Sequence, residues 1–262
     1  MRIGLIGAGN MARAMARGWG EPVLCSDSGS GRARALVGEL GGEVLSNREV
    51  AERADLVVLC HKPYQLEPVA SEIRDAAKAV ASVLGATTTA MLQSAYPDTP
   101  VFAMMPNTPV EIRRGIVIYA ERPPSAIAGH PPADPELERT VLELFGRLGE
   151  VIRLPEGQLD AATALTGVTP AYYALLAEAQ VDAGVRHGLK PDVAGRLVAE
   201  AMGGSAALLA ERGYDTLAMR REVTSPGGST ARGLAELERA GVRTAFQSAI
   251  DAVVRPQAGA AR

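Results

Sequence analysis

Apolar residues along the first 155 positions fall in short, near-continuous runs separated by amphipathic stretches. "RIGLIG" (2–7), "PVLCSD" (22–27), "ADLVVLC" (54–60), "KAVASVL" (78–84), "PVFAMM" (100–105), "GIVIYA" (115–120) and "EVIRLP" (150–155) have the length and composition of buried strands. Between them, "NMARAMARGW" (10–19), "GRARALVGEL" (31–40), "LEPVASEIRDAA" (66–77) and "PELERTVLELFGRLG" (135–149) repeat apolar residues at helical spacing. Alternating strands and helices predict an α/β fold: a doubly wound, parallel sheet of Rossmann type. The segment 121–134, "ERPPSAIAGHPPAD", with four prolines, reads as an exposed loop.

From about residue 157 the pattern changes to Ala, Leu, Glu and Arg at helical spacing. Helices are predicted over about 158–187, 191–211, 214–222 and 229–250, with Gly188, Gly213 and Gly241 near ends or turns. The expected division is therefore 1–156 for a dinucleotide-binding domain and 157–262 for an all-helical one. The first of these helices carries Leu165, Tyr172, Leu175, Leu176, Ala179 and Val185, a stripe too wide to stay exposed on a thin domain. A partner subunit is expected.

Composition narrows the function classes. With 262 residues, 47% of them hydrophobic, the chain can form two modest domains. A net charge of −3 gives no electrostatic reason to expect nucleic acid or an anionic membrane as partner. Of 27 basic residues only Lys62, Lys78 and Lys190 are lysines, and the arginines are scattered among acidic residues as on a solvated surface. Cys25 and Cys60 lie inside apolar runs, which argues against a disulfide framework and for a reducing compartment. The first residues are too glycine-rich for a signal peptide, and no apolar run approaches the roughly 20 residues of a membrane span, so a cytoplasmic protein is expected. His61, His130 and His187 with the two cysteines show no metal-ligand spacing, and no metal is expected.

Candidate chemistry begins with Gly7, Gly9 and Ala12, a G-x-G-x-x-A pattern between an apolar strand and a helix. Gly7 allows the tight turn, Gly9 lets backbone approach a pyrophosphate, and Ala12 lets the helix pack on the strand. Asp27 closes the next strand, where a carboxylate commonly accepts hydrogen bonds from the ribose of NAD. Ser26, Ser28, Arg32 and Arg34 lie close enough to hold a 2′-phosphate instead, so NADH and NADPH both stay open. "LCHKP" (59–63) ends the third strand at the carboxyl edge of the sheet, where Lys62 can face a cofactor; His61 has no nearby relay partner for acid–base work. In "MMPNTP" (104–109), Pro106 and Pro109 bracket Asn107 and Thr108 in a rigid loop suited to holding polar groups against a nicotinamide and its substrate. "VTSPGGST" (223–230) interrupts helix-forming sequence. It is either plain turn punctuation or a helix start whose backbone N–H groups receive an anion.

With these pieces in view the chain resembles pyrroline-5-carboxylate reductase, which reduces a cyclic imino acid to proline. "IGLIGAGNMARAMARG", "ADLVVLCHKP", "MMPNTP", "ALTGVTPAYYALLAEAQVDAGVRHGL" and "VTSPGGST" occur in the family's order over nearly the whole length. The last two are specific to the family; the first is shared by many dehydrogenases. The resemblance implies an N-terminal NAD(P)H-binding domain and a helical domain interlocked with its mate, as a homodimer or a higher homo-oligomer built from dimers. It also implies that Ser225, by its hydroxyl, and Ser229 and Thr230, by backbone N–H groups across the Gly227–Gly228 turn, hold the substrate carboxylate. The Thr230 hydroxyl would then lie against the ring nitrogen. Ala8, Gly9, Asn10 and Met11 are carried onto the pyrophosphate, Asn47 onto the adenosine ribose region, and His61, Lys62 and Pro63 onto the loop beside the cofactor.

The chain departs from the family where "SGSGPAY" is common, with Val168 and Thr169 replacing a serine and a glycine. Ala103 stands where an arginine is common, and "SVLGATTT" differs from the usual Ser-x-x-Ala-Gly run. Two readings stand beside the reduction of 1-pyrroline-5-carboxylate: a reductase of another cyclic imino acid, and a non-catalytic dinucleotide sensor. The intact "SPGGST" argues against the sensor, which has no use for a second anion site.

Overall fold

The computed structural model describes residues 1–121 and 134–254, so the proline-rich stretch 122–133 lies outside the described residues. The chain divides into two compact units, Met1–Gly167 and Val168–Arg262.

The first unit is built on eight strands: β1 (Ile3–Ile6), β2 (Val23–Ser26), β3 (Gly42–Val44), β4 (Leu56–Leu59), β5 (Val80–Ser82), β6 (Val101–Pro106), β7 (Gly115–Glu121) and β8 (Gly149–Pro155). They form one sheet in the order β3-β2-β1-β4-β5-β6-β7-β8. The strands from β1 to β6 are mutually parallel, whereas β7 runs antiparallel to β6 and β8 parallel to β7. That reversal departs from an all-parallel expectation for a simple reason. Only residues 107–114 link β6 to β7, and a parallel neighbour needs a crossover of about a dozen residues or more.

Among the described residues six α-helices connect the strands, α1 (Asn10–Trp19), α2 (Arg32–Leu40), α3 (Asn47–Arg53), α4 (Leu66–Ile73), α5 (Thr89–Ala95) and α6 (Pro135–Gly146), and α7 (Leu159–Thr166) follows β8. Successive strand residues point to opposite faces, so Leu5 and Val58 pack with Met15, Trp19 and Phe145 on one side, while Ile6 and Val57 pack with Val50, Ile73 and Leu92 on the other. Burial on both faces explains why the strands read as continuous apolar runs rather than alternating ones. Trp19 ends α1 inside the first layer: its Nε1–H donates to the Leu144 carbonyl at 3.0 Å and its ring meets Phe145 edge-on at 5.7 Å.

The expected strands and helices of this unit are all present within a few residues. β3, α3 and α5 were not expected. β3 is exposed along its length and lacks an apolar run; α3 is announced only by a capping box, in which Ser46 and Glu49 bond each other's backbone N–H groups.

The second unit comprises α8 (Thr169–Arg186), α9 (Pro191–Glu211), α10 (Thr216–Glu222), α11 (Ser229–Arg239) and α12 (Val242–Val254). Two expected helices are each divided. The stretch 158–187 breaks at Gly167–Val168 because Pro170 has no N–H for the Thr166 carbonyl four residues back, and Asn107 Nδ2 donates to that carbonyl instead, at 3.3 Å. Val168 therefore stands in the break and Thr169 opens α8, rather than both lying within one long helix. The stretch 229–250 breaks at Gly241, whose φ of +77° is left-handed. Among the described residues of this unit only Ala194 is a buried hydrophobic, while Leu175, Leu197 and Leu237 are each more than half exposed. α9 also corrects the expectation that no segment approaches spanning length: by length and composition alone it is long and apolar enough to cross a membrane.

Trp19→Ala removes the largest fully buried side chain and leaves a cavity beside Phe145. The variant should lose about 3–5 kcal/mol of unfolding free energy in urea titration; a loss under about 1 kcal/mol would show that this layer does not anchor the sheet.

Candidate functional site

β1, β2 and β4 end side by side, and the residues that follow them line a cavity of about 230 Å³. It brings together Gly7, Ala8, Gly9, Asp27, Ser28, Arg32, Asn47, His61 and Lys62 from the expected residues, and adds Ser30 and Gln65. Gly7 has φ +101°, and its N–H donates to the Ser26 carbonyl at 3.0 Å, which turns the chain sharply off β1. A Cβ on Gly7 would stand 2.7 Å from the Cys60 carbonyl carbon and 2.8 Å from the His61 nitrogen, so no side chain fits. Gly9 is different: its φ is −73°, and a Cβ there would meet nothing within 4 Å. The space it preserves is not filled by this chain, as expected where a ligand must approach backbone.

α1 starts at Asn10 without a side-chain cap on its first N–H groups, next to half-buried Met11. An uncapped helix start facing a cavity is an anion site in waiting. Asn47 opens α3 and is held from both sides: Ser26 Oγ donates to its Oδ1 at 2.6 Å, and its Nδ2 donates to Glu72 Oε2 at 2.7 Å.

Asp27 Oδ1 accepts from Gly29 N–H at 2.9 Å, and Oδ2 accepts from Ser30 Oγ and Ala33 N–H, both at 2.9 Å. These donors, Ala33 N–H foremost, hold the carboxyl below the usual carboxylate range. Asp27 thus spends much of its acceptor capacity shaping the 27–33 loop, which carries Ser28, Ser30 and Arg32 into the cavity lining.

Pro63 begins a single 3₁₀ turn, Pro63–Gln65, and Gln65 Oε1 accepts from Lys62 N–H at 3.1 Å. The Lys62 side chain is exposed, with no ion pair among the described residues. His61 Nδ1 lies 2.9 Å from the Lys62 carbonyl, so Nδ1 carries the proton and donates it. His61 Nε2 is buried with no hydrogen-bond partner, and burial holds the imidazole below its ordinary pKa. Burial also raises both thiols, Cys25 to about 12 and Cys60 further, so neither is a nucleophile near neutral pH.

Asn107 is not in this cavity. It is buried, its Oδ1 accepts from Ile116 N–H at 2.8 Å and its Nδ2 donates to Thr166 O, which ties the β6–β7 loop to the end of α7. In the second unit, Ser225, Gly227, Gly228, Ser229 and Thr230 form one compact turn. Gly228 N–H donates to Ser225 O at 3.1 Å, and α11 then starts at Ser229 with no side-chain cap. A Cβ on Gly228 would stand 2.4 Å from Ser225 Oγ, so glycine there is what lets that hydroxyl lie over the helix start.

Comparison with known proteins decides the family. A pyrroline-5-carboxylate reductase of Mycobacterium tuberculosis (strain CDC 1551 / Oshkosh) is 36% identical over 284 aligned residues, covering 96% of this chain and 94% of the relative. The chain belongs to the pyrroline-5-carboxylate reductase family. A reductase of that name from Synechocystis sp. is 31% identical, covering 97% of this chain and 96% of the relative. A family model for pyrroline-5-carboxylate reductase dimerisation matches residues 156–259, and one for NADP oxidoreductase, coenzyme F420-dependent, matches residues 2–85. Among solved structures, Plasmodium falciparum pyrroline carboxylate reductase with NADP bound has a TM-score of 0.83 at 25% identity, covering 97% of this chain and 95% of that one. The 1-pyrroline-5-carboxylate reductase of Streptococcus pyogenes has a TM-score of 0.84 at 28% identity, covering 97% and 96%. These matches support a nicotinamide dinucleotide cofactor and homo-oligomerisation for this reductase. The dimerisation match includes α8 to α12, the helices whose apolar side chains lie bare in the single chain.

Ser28 and Arg32 were legible in this lining, but Ser30 and the bonds by which Asp27 orders its own loop were not, because Asx-type bonds leave no periodic trace. Gly9→Ala separates fold from site: the melting temperature should stay unchanged while the dissociation constant for a nicotinamide dinucleotide, read by fluorescence titration, rises about tenfold or more. A variant that binds as tightly as wild type would remove Gly9 from the cofactor's path.

Proposed function

We propose that this chain reduces the C=N bond of 1-pyrroline-5-carboxylate to L-proline in the cytoplasm, drawing hydride from NADPH or NADH. One observation carries the reading: relatives named for that reaction match the chain end to end, at 31–36% identity. The dinucleotide, when bound, supplies the hydride; the chain's own residues bind, orient and place the proton. Ala8, Gly9, Asn10 and Met11 receive the pyrophosphate, as the uncapped start of α1 suits. Asp27 and Asn47 order the adenosine end, and His61, Lys62 and Pro63 form the wall beside it.

The substrate carboxylate lies on the Ser229 and Thr230 N–H groups and the Ser225 hydroxyl, with Gly227 and Gly228 making the turn. Thr230 is the catalytic residue. Its hydroxyl orients the proton on the ring nitrogen, because the charged iminium is the better electrophile. No strong base is needed, so rate rests on alignment. Asn107 contributes by position, holding the loop at the end of α7.

Of the two dinucleotides we propose NADPH as preferred. The 27–33 loop is ordered by Asp27 and presents Ser28, Ser30 and Arg32, which suits a 2′-phosphate better than a bare diol. A second substrate remains attached to Val168 and Thr169, at the break between α7 and α8: a six-membered imino acid in place of the five-membered one.

Dinucleotide oxidation followed by absorbance, with L-proline identified as product, tests the reaction against five- and six-membered imino acids. Turnover on the five-membered ring is expected; binding of NADPH without turnover on any imine would leave a sensor. Thr230→Ala should lower kcat/KM by about one to two powers of ten with dinucleotide affinity unchanged, and unaltered kinetics would remove Thr230 from the mechanism. Arg32→Ala should weaken NADPH about 10- to 100-fold and NADH hardly at all; equal losses would reject the 2′-phosphate assignment.

A further inference from the structure

The 225–230 turn contains a peptide group that its own residues cannot hold still. Gly227 and Gly228 flank it, and two glycines in succession leave the plane between them freer than any other pair would. In the structure both ends of that peptide are tied. The Gly228 N–H donates to the Ser225 carbonyl at 3.1 Å, closing a four-residue turn with Pro226 second and Gly227, at φ +66°, third. The Gly227 carbonyl accepts from Arg232 Nη1 at 2.8 Å. Arg232 also donates its backbone N–H to the next carbonyl, that of Gly228, at 3.2 Å, as α11 begins. One residue thus holds two successive carbonyls.

The charge of Arg232 is unusual for its place. α11 has no acidic residue in its first turn and no side-chain cap, so nothing in this segment offsets its positive end. A guanidinium folded back to the Gly227 carbonyl adds like charge there. Arg212, Arg220, Arg239 and Arg243 of the same unit each reach a glutamate, whereas Arg232 has no ion pair among the described residues. Such an arrangement is unfavourable until an anion arrives. Because Arg232 is exposed, water screens its charge, and the hydrogen bond is the larger of its two effects.

We infer that Arg232 is a positioning residue for the substrate: by pinning the Gly227 carbonyl it fixes the Ser225 hydroxyl, on one side of the Gly-Gly peptide, relative to the Ser229 and Thr230 amides on the other, so that three donors converge on one carboxylate. Resting on the carboxylate reading of this turn given above, that role adds a residue outside the turn itself. The Thr230 hydroxyl lies on the helix side of the pinned peptide and keeps its place without it. The carboxylate, moreover, is held alike before and during reduction of the C=N bond. Loss of the pin therefore falls on substrate affinity and spares the chemical step.

Steady-state kinetics of the full chain with NADPH and 1-pyrroline-5-carboxylate, together with inhibition by L-proline, tests this role. Arg232→Met should raise KM for the imino acid and the inhibition constant of L-proline by about tenfold each, while kcat stays within about threefold and the NADPH dissociation constant does not move. Arg232→Lys keeps a donor and a charge on a long stem and should recover most of the loss, since the contact is a single N–H to a carbonyl rather than a bidentate one. A merely structural role would lower the melting temperature of Arg232→Met and leave KM and the L-proline constant as in wild type. That result, a fall in kcat with KM unmoved, or a lysine variant no better than methionine would each overturn the inference. Wild-type turnover alongside any of those results leaves the reaction reading standing, whereas a wild type that turns over no imino acid overturns both.

Discussion

The first unit depends on one backbone constraint. Where β1 ends, the chain must turn within a single residue so that α1 can start beside the end of β4, and Gly7 at φ +101° makes that turn with the Cys60–His61 backbone pressed against its bare Cα. Only glycine meets both conditions, positive φ and no room for a methyl. From this one residue the rest follows. α1 points its first N–H groups at the sheet's edge, the β2–α2 loop and the His61–Pro63 segment close around them, and the cavity acquires amides on one wall and polar side chains on the others. The packing that fixes the arrangement lies a layer away, where Ala12, Met15 and Trp19 seat α1 on Leu5 and Val58.

The second unit obeys a different constraint. Folding relies on burying apolar surface, yet the single chain leaves α8, α10, α11 and α12 with no buried residue and α9 with Ala194 alone, among the described residues. A helix that is apolar and bare is unstable in water by itself. The match to a dimerisation domain supplies the covering surface in the form of a second copy. The match also spans α9, whose length and composition alone would suit a membrane.

Legibility varied with physical cause. The β1–α1 turn was readable because Gly7, Gly9 and Ala12 each answer a steric demand that leaves a fixed spacing. β1, β2 and β4 to β7 were readable because they are largely buried; β8, with no buried residue, was readable from the Val151, Ile152 and Leu154 that remain half-exposed, and β3, exposed throughout, was not. The break before α8 depends on Asn107 accepting the duty that Pro170 cannot perform, a contact between residues far apart in sequence. The same limit applies to Asp27, whose carboxylate also orders its own loop through Gly29, Ser30 and Ala33, bonds that the sequence does not announce. The unpartnered Nε2 of His61 could not be read from "LCHKP", because neither its burial nor its tautomer is a property of sequence. The substrate turn 225–230 was legible through resemblance, and its geometry as an uncapped helix start emerges only in three dimensions.

The central claim is that the turn at Gly7 aims a set of backbone amides at a dinucleotide. Hydrogen exchange of the full chain, followed by mass spectrometry with and without NADPH, tests it most directly. The account predicts slowed exchange in the segments around 7–12, 27–33 and 60–63, where amides and side chains close on the ligand. Saturating NADPH that left those three segments unchanged while protecting others, or protecting none, would contradict it.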